Sequence, residues 1–149
     1  MSTEENKAVA RRFIEAGDRL GAGEDIQAIA DEIIAPDFVA HLPGGLDLGF
    51  DTFLHFAGAF AEGFPPYIHI IEEQIAEGDL VVTRMTWRGT HAGPFQGMPP
   101  TGTTATMAAI NIVRIVGGKI VEQWVQLDTM ALMQQLGGIP EPAEAGSRS

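Results

Sequence analysis

The chain contains no cysteine, which excludes disulfides, thiolate metal sites and a cysteine nucleophile. No apolar run approaches the ~18 residues that a membrane helix needs. The N-terminus MSTEENKAVARR is polar and mixed in charge, unlike a secretory signal. A cytoplasmic protein without a membrane partner is therefore the expectation. Basic residues are scarce and scattered, nine Lys and Arg against twenty Asp and Glu, for a formal net charge of −11. Phosphate backbones require clustered cations, so nucleic acid is not an expected partner. There is no HExxH, no Gly-rich phosphate loop and no G-x-S-x-G elbow, which argues against the chemistries those motifs serve. What remains is a globular mixture, 45% hydrophobic and 19% charged over 149 residues, enough for one domain with a real core.

Hydrophobic periodicity divides the chain into two halves. Residues 4–20 carry Ala8, Val9, Phe13, Ile14 and Ala16 at helical spacing, and Gly21 can end the run. A second helix is predicted over 24–34, stopping before Pro36, and an extended piece over 37–49 leads into a Gly/Pro turn. A third helix, 50–64, is rich in Phe and ends at Pro65-Pro66. The period then changes to two, predicting strands over 67–76, 80–91, 104–116 and 119–128. A short helix over 129–137 follows, and 139–149 is expected to be a disordered tail. Helices first and antiparallel strands afterwards mean α+β, a single domain spanning 1–138.

The stretch EQWVQLD, residues 122–128, alternates Glu122, Trp124, Gln126 and Asp128 on one side with Gln123, Val125 and Leu127 on the other. Two glycines in VGGK suit a primed two-residue hairpin that pairs Val116 with Lys119. An unbroken ladder from that turn sets Asn111 opposite Trp124, Ala109 opposite Gln126 and Met107 opposite Asp128. The polar quartet would then share a pocket wall with Met107, Ala109, Asn111 and Val113. Ile110, Ile112, Val121, Val125 and Leu127 would form the reverse, apolar face, in need of a cover or a partner subunit.

Several segments together carry a family resemblance: NKAVARRFIEA, FVAHLPG, IAEGDLVVTRMTWRGTHAGPFQGMPPTG and INIVRIVGGKIVEQWVQLDTMALMQQLG. The chain resembles the SnoaL-like polyketide cyclases, a branch of the NTF2-like fold. The resemblance implies a cone of three N-terminal helices packed on a curved antiparallel sheet, with a short C-terminal helix. It implies a cofactor-free, metal-free intramolecular aldol closure on a small hydrophobic, carbonyl-rich molecule, and a homodimer or tetramer. It also implies that Asp128, following the Trp of the last strand, is the general acid/base. The same fold serves non-catalytic binding proteins, isomerases and epoxide hydrolases, which stand as alternatives. The lone tyrosine, Tyr67, opens a strand rather than lying in the first helix, and Arg84 and Arg88 have no Asp in their strand. Both features weigh against the isomerase and epoxide hydrolase readings.

A base that removes a proton alpha to a carbonyl works best in a dry place, where its charged form is poorly stabilised. Asp128 at the rim of an apolar cone meets that need, yet Asp before TMALMQQL is also a good helix N-cap. His41, before a Pro-Gly turn, and His91, at the mouth of the long loop, could transfer a proton or hydrogen-bond a nascent enolate. His41 could instead anchor its turn through its ring nitrogens, and His91 could be a strand-end residue facing water. Trp124, Gln126, Asn111 and Met107 are the expected substrate contacts on the pocket wall, and Phe95 and Met98 those of a lid formed by the 92–103 loop. His69, on the first long strand, has no evident partner, and His55 falls on the polar side of the third helix; both are expected to be structural or exposed. Arg84 and Arg88 are expected on the outer face, and Trp87 in the core.

Overall fold

The computed structural model describes residues 1–140. Most of the expected tail, 141–149, lies outside the described residues. Helix α1, Thr3–Gly21, starts with a capping box: Ser2 Oγ accepts from the Glu5 N–H at 3.0 Å while the Glu5 carboxylate accepts from the Ser2 N–H at 2.8 Å. It ends at Gly21, where an added Cβ would stand 2.9 Å from the Tyr67 ring, so only glycine lets the helix lie this close. Helix α2 spans Gln27–Ile33 and gives way at once to strand β1, Ile34–Leu42, and the short β2, Leu46–Leu48. Helix α3, Phe50–Gly63, completes the helical layer. Strands β3, Ile68–Glu77, β4, Leu80–Thr90, β5, Thr104–Val116, and β6, Lys119–Leu127, precede helix α4, Thr129–Leu136.

The six strands form one sheet in the order β2-β1-β6-β5-β4-β3. The fold is α+β, as expected, with one departure from an all-antiparallel sheet: β1 runs parallel to β6. Parallel neighbours need a long connection, and here the whole of β2 to β5 lies between them. Pro36 falls where the β1–β6 register breaks, between Ile34 and Val39; lacking an N–H, it cannot join the ladder.

The hairpin between β5 and β6 decides which residues face the helices. Gly117 and Gly118 both have positive φ, 59° and 80°, the primed turn expected, and Val116 pairs with Lys119. The ladder does not continue unbroken. Ile115 pairs with Ile120, but Arg114 pairs with Glu122, so Val121 is an extra, bulged residue. One inserted residue turns every later side chain to the opposite face. The concave, helix-covered face therefore carries Gln123, Val125 and Leu127 beside Met107, Ala109, Asn111 and Val113. Trp124 faces Ile112 and Gln126 faces Ile110 on the outer side. The expected pairing of Trp124 with Asn111 and Gln126 with Ala109 is corrected by this bulge.

Two aromatic clusters hold the helices to the sheet. Phe38 of β1 packs against Phe13, Phe50 and Phe53 with centroids 5.7–6.4 Å apart. At the other end Phe60, Phe64, Tyr67, Trp87 and Phe95 are buried together with Leu132 and Leu136 of α4. Arg84 and Arg88 are exposed and Trp87 is buried, in line with the alternation of β4. The outer face leaves Ile68, Ile70 and Ile110 exposed at 45%, 44% and 47%.

Candidate active site

Between the two clusters the helices stand away from the concave sheet, leaving a cavity of about 110 Å³. Its wall is overwhelmingly apolar, with Phe13, Phe53, Phe56 and Phe60 above and Met85, Val125 and Leu127 below. Four polar side chains interrupt it: Asn111, Gln123, Tyr67 and His69. The amides of Asn111 and Gln123 come from adjacent strands, and both residues are buried. Gln123 Oε1 has no hydrogen-bond partner among the described residues. A buried acceptor left unpaired costs about 1–3 kcal/mol.

Tyr67 and His69 sit at the other end, where β3 leaves α3. Burial, and then the negative Asp18, push the Tyr67 phenol well above its ordinary value, so its hydroxyl stays protonated and can donate. The rings of Tyr67 and His69 meet edge-on at 5.6 Å. Asp18 of α1 reaches across to β3, where one oxygen, Oδ1, accepts both the His69 backbone N–H at 2.9 Å and the ring Nδ1–H at 2.7 Å. A carboxylate only accepts, so Nδ1 carries a proton, and in the neutral form of the ring the lone pair is then on Nε2. His69 and Asp18 side chains retain only 16% and 27% exposure.

The residues expected from sequence divide between this cavity and three other places. Asn111 and Met107 line the cavity. Asp128 is exposed and is the N-cap of α4, its Oδ1 accepting from the Ala131 N–H at 3.1 Å; it follows Leu127, which does line the cavity. His41 lies on the outer face, stacked on Trp124 at 5.3 Å. Its Nδ1 meets Asp47 and its Nε2 meets Glu122, both at 2.7 Å. The hydrogen bond to Asp47, followed by that to Glu122, raises the His41 pKa. Arg114 extends the network, 3.0 Å from Asp79 and 3.6 Å from Glu122, with its guanidinium over Trp124. Trp124 and Gln126 are thus outer-face residues and not cavity contacts, a consequence of the Val121 bulge.

His91 is fully buried, stacked on Phe64 at 5.2 Å, and does not line the cavity. Its Nδ1 accepts from the Thr101 N–H at 3.2 Å, and its backbone bonds Thr103 and Gly102, so it ties the long loop to β4. That loop is not a free lid. Phe95 is buried against Phe60 and Phe64, Phe95 and Met98 exchange backbone hydrogen bonds, and the half-buried Met98 joins the same cluster.

A family model for SnoaL-like polyketide cyclases matches residues 8–136. The chain belongs to the SnoaL-like polyketide cyclase family. Among curated proteins it is similar to nogalonic acid methyl ester cyclase of Streptomyces nogalater, 32% identical over 121 residues, 79% of this chain and 90% of that one. Among solved structures, AclR of Streptomyces galilaeus, described as a candidate hydroxylase, superposes with a TM-score of 0.86 at 26% identity, covering 99% of this chain and 90% of AclR. IdmH of Streptomyces antibioticus, a candidate polyketide cyclase, reaches 0.78 at 31% identity, covering 89% and 98%.

Within this family member, sequence reasoning passed over Gln123, Tyr67 and the Asp18–His69 pair. One signal was available. Asp18 stands four residues after Ile14, on the apolar face of α1, where a carboxylate requires a partner.

Proposed function

We propose that the protein catalyses a cofactor-independent intramolecular aldol closure of a hydrophobic, carbonyl-rich, polyketide-like molecule. A carbon alpha to one carbonyl loses a proton, the enolate carbon attacks a second carbonyl of the same molecule, and the resulting alkoxide takes up a proton. Connectivity changes; composition does not. The observation that carries this reading is the apolar cavity with a few convergent polar groups, the usual form of a small-molecule site, in a chain related to a nogalonic acid methyl ester cyclase. Dry walls make a base more basic, the Tyr67 hydroxyl can donate to a developing oxyanion, and the Asn111 and Gln123 amides can hold carbonyl and hydroxyl groups. The family resemblance points to Asp128, at the rim beside Leu127, as a candidate acid/base for these transfers, with the reacting end of the substrate then brought to that edge. A second copy on the outer face would cover Ile68, Ile70 and Ile110, giving the homodimer that sedimentation would detect.

The test is incubation with nogalonic acid methyl ester, followed by chromatography and mass spectrometry. The expected product has the substrate's mass and a new retention time. Substrate that binds and returns unchanged marks a binding protein, and a product heavier by one oxygen marks a hydroxylase. Either outcome would overturn the cyclase reading.

A further inference from the structure

We infer that His69 and Asp18 form a proton-transfer pair inside the cavity, His69 Nε2 acting as base toward a carbon acid and Asp18 positioning the ring. The inference rests on the proposed cyclase reading for the identity of that carbon acid, and it gives to His69 the proton transfers for which Asp128 is the family's candidate, leaving Asp128 as the cap of α4. Of the four histidines, His69 alone lines the cavity. His41 has a carboxylate on each ring nitrogen and lies on the outer face, His91 is buried in the loop cluster, and His55 does not line the cavity. Among the described residues that do, His69 and Tyr67 are the titratable ones, and burial keeps Tyr67 a donor.

The arrangement around His69 has the parts that base catalysis needs. Asp18 accepts hydrogen bonds from the Nδ1–H and the backbone N–H through one oxygen, which fixes both ring orientation and tautomer. The Nε2 lone pair, with no hydrogen-bond partner among the described residues, is left for a ligand. When Nε2 takes a proton, the imidazolium is stabilised by the Asp18 carboxylate 2.7 Å from Nδ1. The Tyr67 ring packs beside it. The amides stand further along the sheet. His69 shares a cross-strand row with Trp87 and Met107, and Asn111 lies four residues beyond Met107, ~13 Å along the strand at ~3.3 Å per residue. A flat molecule held at one end by Asn111 and Gln123 would bring its other end toward His69.

The step balances without a co-reactant. The C–H electron pair becomes the enolate, its proton moves to Nε2, the enolate carbon forms the new C–C bond as the second carbonyl's π pair moves to oxygen, and Nε2–H returns the proton to that alkoxide. Asp18 stays ionised throughout.

A nitrobenzisoxazole tests the base apart from the natural substrate. Removal of its carbon-bound proton opens the N–O bond and releases a coloured cyanophenolate. The parent is expected to open the ring, and His69→Gln to lose roughly a hundredfold or more in kcat. Asp18→Asn keeps an oxygen for both hydrogen bonds but not the charge, and is expected to lose on the order of tenfold or more in kcat with KM unchanged. His69→Ala should regain activity on addition of imidazole, a rescue that a structural role would not give. The inference is overturned if folded His69→Gln keeps the parent rate, if Asp18→Asn alters KM alone, or if the parent binds the probe without opening it. Failure of the cyclase reading looks different: the probe opens, but nogalonic acid methyl ester comes back unchanged.

Discussion

Asp128 stands where a family acid/base is expected and also where α4 needs a cap, and two substitutions separate these roles. Asp128 Oδ1 accepts from the Ala131 N–H at 3.1 Å, and its carbonyl accepts from the Leu132 N–H at 3.2 Å. Alanine removes the first bond and keeps the second. Because the residue is exposed, water can replace part of what is lost, and the cost should be about 1 kcal/mol. In a domain of this size that corresponds to a fall of about 3 °C in Tm. Asparagine keeps an accepting oxygen and loses only the attraction between a carboxylate and the helix N-terminus, the smaller cost, from ~0.3 kcal/mol upward. Differential scanning calorimetry should therefore rank parent, Asp128→Asn, Asp128→Ala in falling order. An alanine variant as stable as the parent would refute the cap as a stabilising contact. The asparagine variant, with the cap kept, then reports on chemistry: a loss of roughly a hundredfold in turnover marks an acid/base, and unchanged turnover removes Asp128 from the mechanism.

Deleting Val121 should close the bulge and leave Arg114 opposite Glu122 and Val113 opposite Gln123, so Gln123, Val125 and Leu127 keep facing the helices and the variant keeps a cooperative thermal transition; loss of that transition would show that Val121 is not the inserted residue. Gln123→Leu replaces a buried acceptor without a partner, so chemical denaturation should show stability unchanged or raised by about 1–3 kcal/mol, while turnover of the proposed substrate falls. The folded His41 pKa is raised by Asp47 and Glu122, so its contribution is complete below its unfolded value of about 6.5 and is lost as pH rises through the higher folded value. Urea melts of parent and His41→Gln should accordingly differ more at acid pH than at alkaline pH. Leu132 is fully buried, and Leu132→Ala should cost about 2–5 kcal/mol, detaching α4 from the Phe60–Trp87 cluster.

Local patterns carried most of the fold. Apolar spacing marked α1 and α3, period-two alternation marked β5 at its observed bounds, and the Gly117-Gly118 pair marked the turn at the right residues. What failed was parity across a single hairpin. In KIVEQWVQL the alternation is interrupted twice in succession, by Ile120-Val121 and by Glu122-Gln123, and that interruption is the bulge written in the sequence. Passing over it moved Trp124 and Gln126 into a cavity they do not line and left Gln123 out of one that it does. The placement of β1 beside β6 had no comparable local sign, because it joins segments about eighty residues apart, as in the pairing of Ala40 with Gln123.

The two polar faces of the sheet differ in how completely their groups are paired, and that difference separates structure from candidate chemistry. On the outer face Asp47, His41, Glu122, Arg114 and Asp79 form a continuous chain of contacts in which both ring nitrogens of His41 have partners. On the concave face, among the described residues, Gln123 Oε1 has none, and His69 is paired at Nδ1 alone. Two other buried atoms without partners, Asn6 Oδ1 and His91 Nε2, belong to residues that do not line the cavity. Buried polar groups left open normally destabilise a fold, and those facing a void are the ones a ligand can satisfy. His69 escaped notice in the sequence because its partner, Asp18, is 51 residues earlier in the chain and reaches it only once α1 lies across β3. The elements are set by local residue patterns, whereas the cavity's reactive groups come into being when distant elements meet.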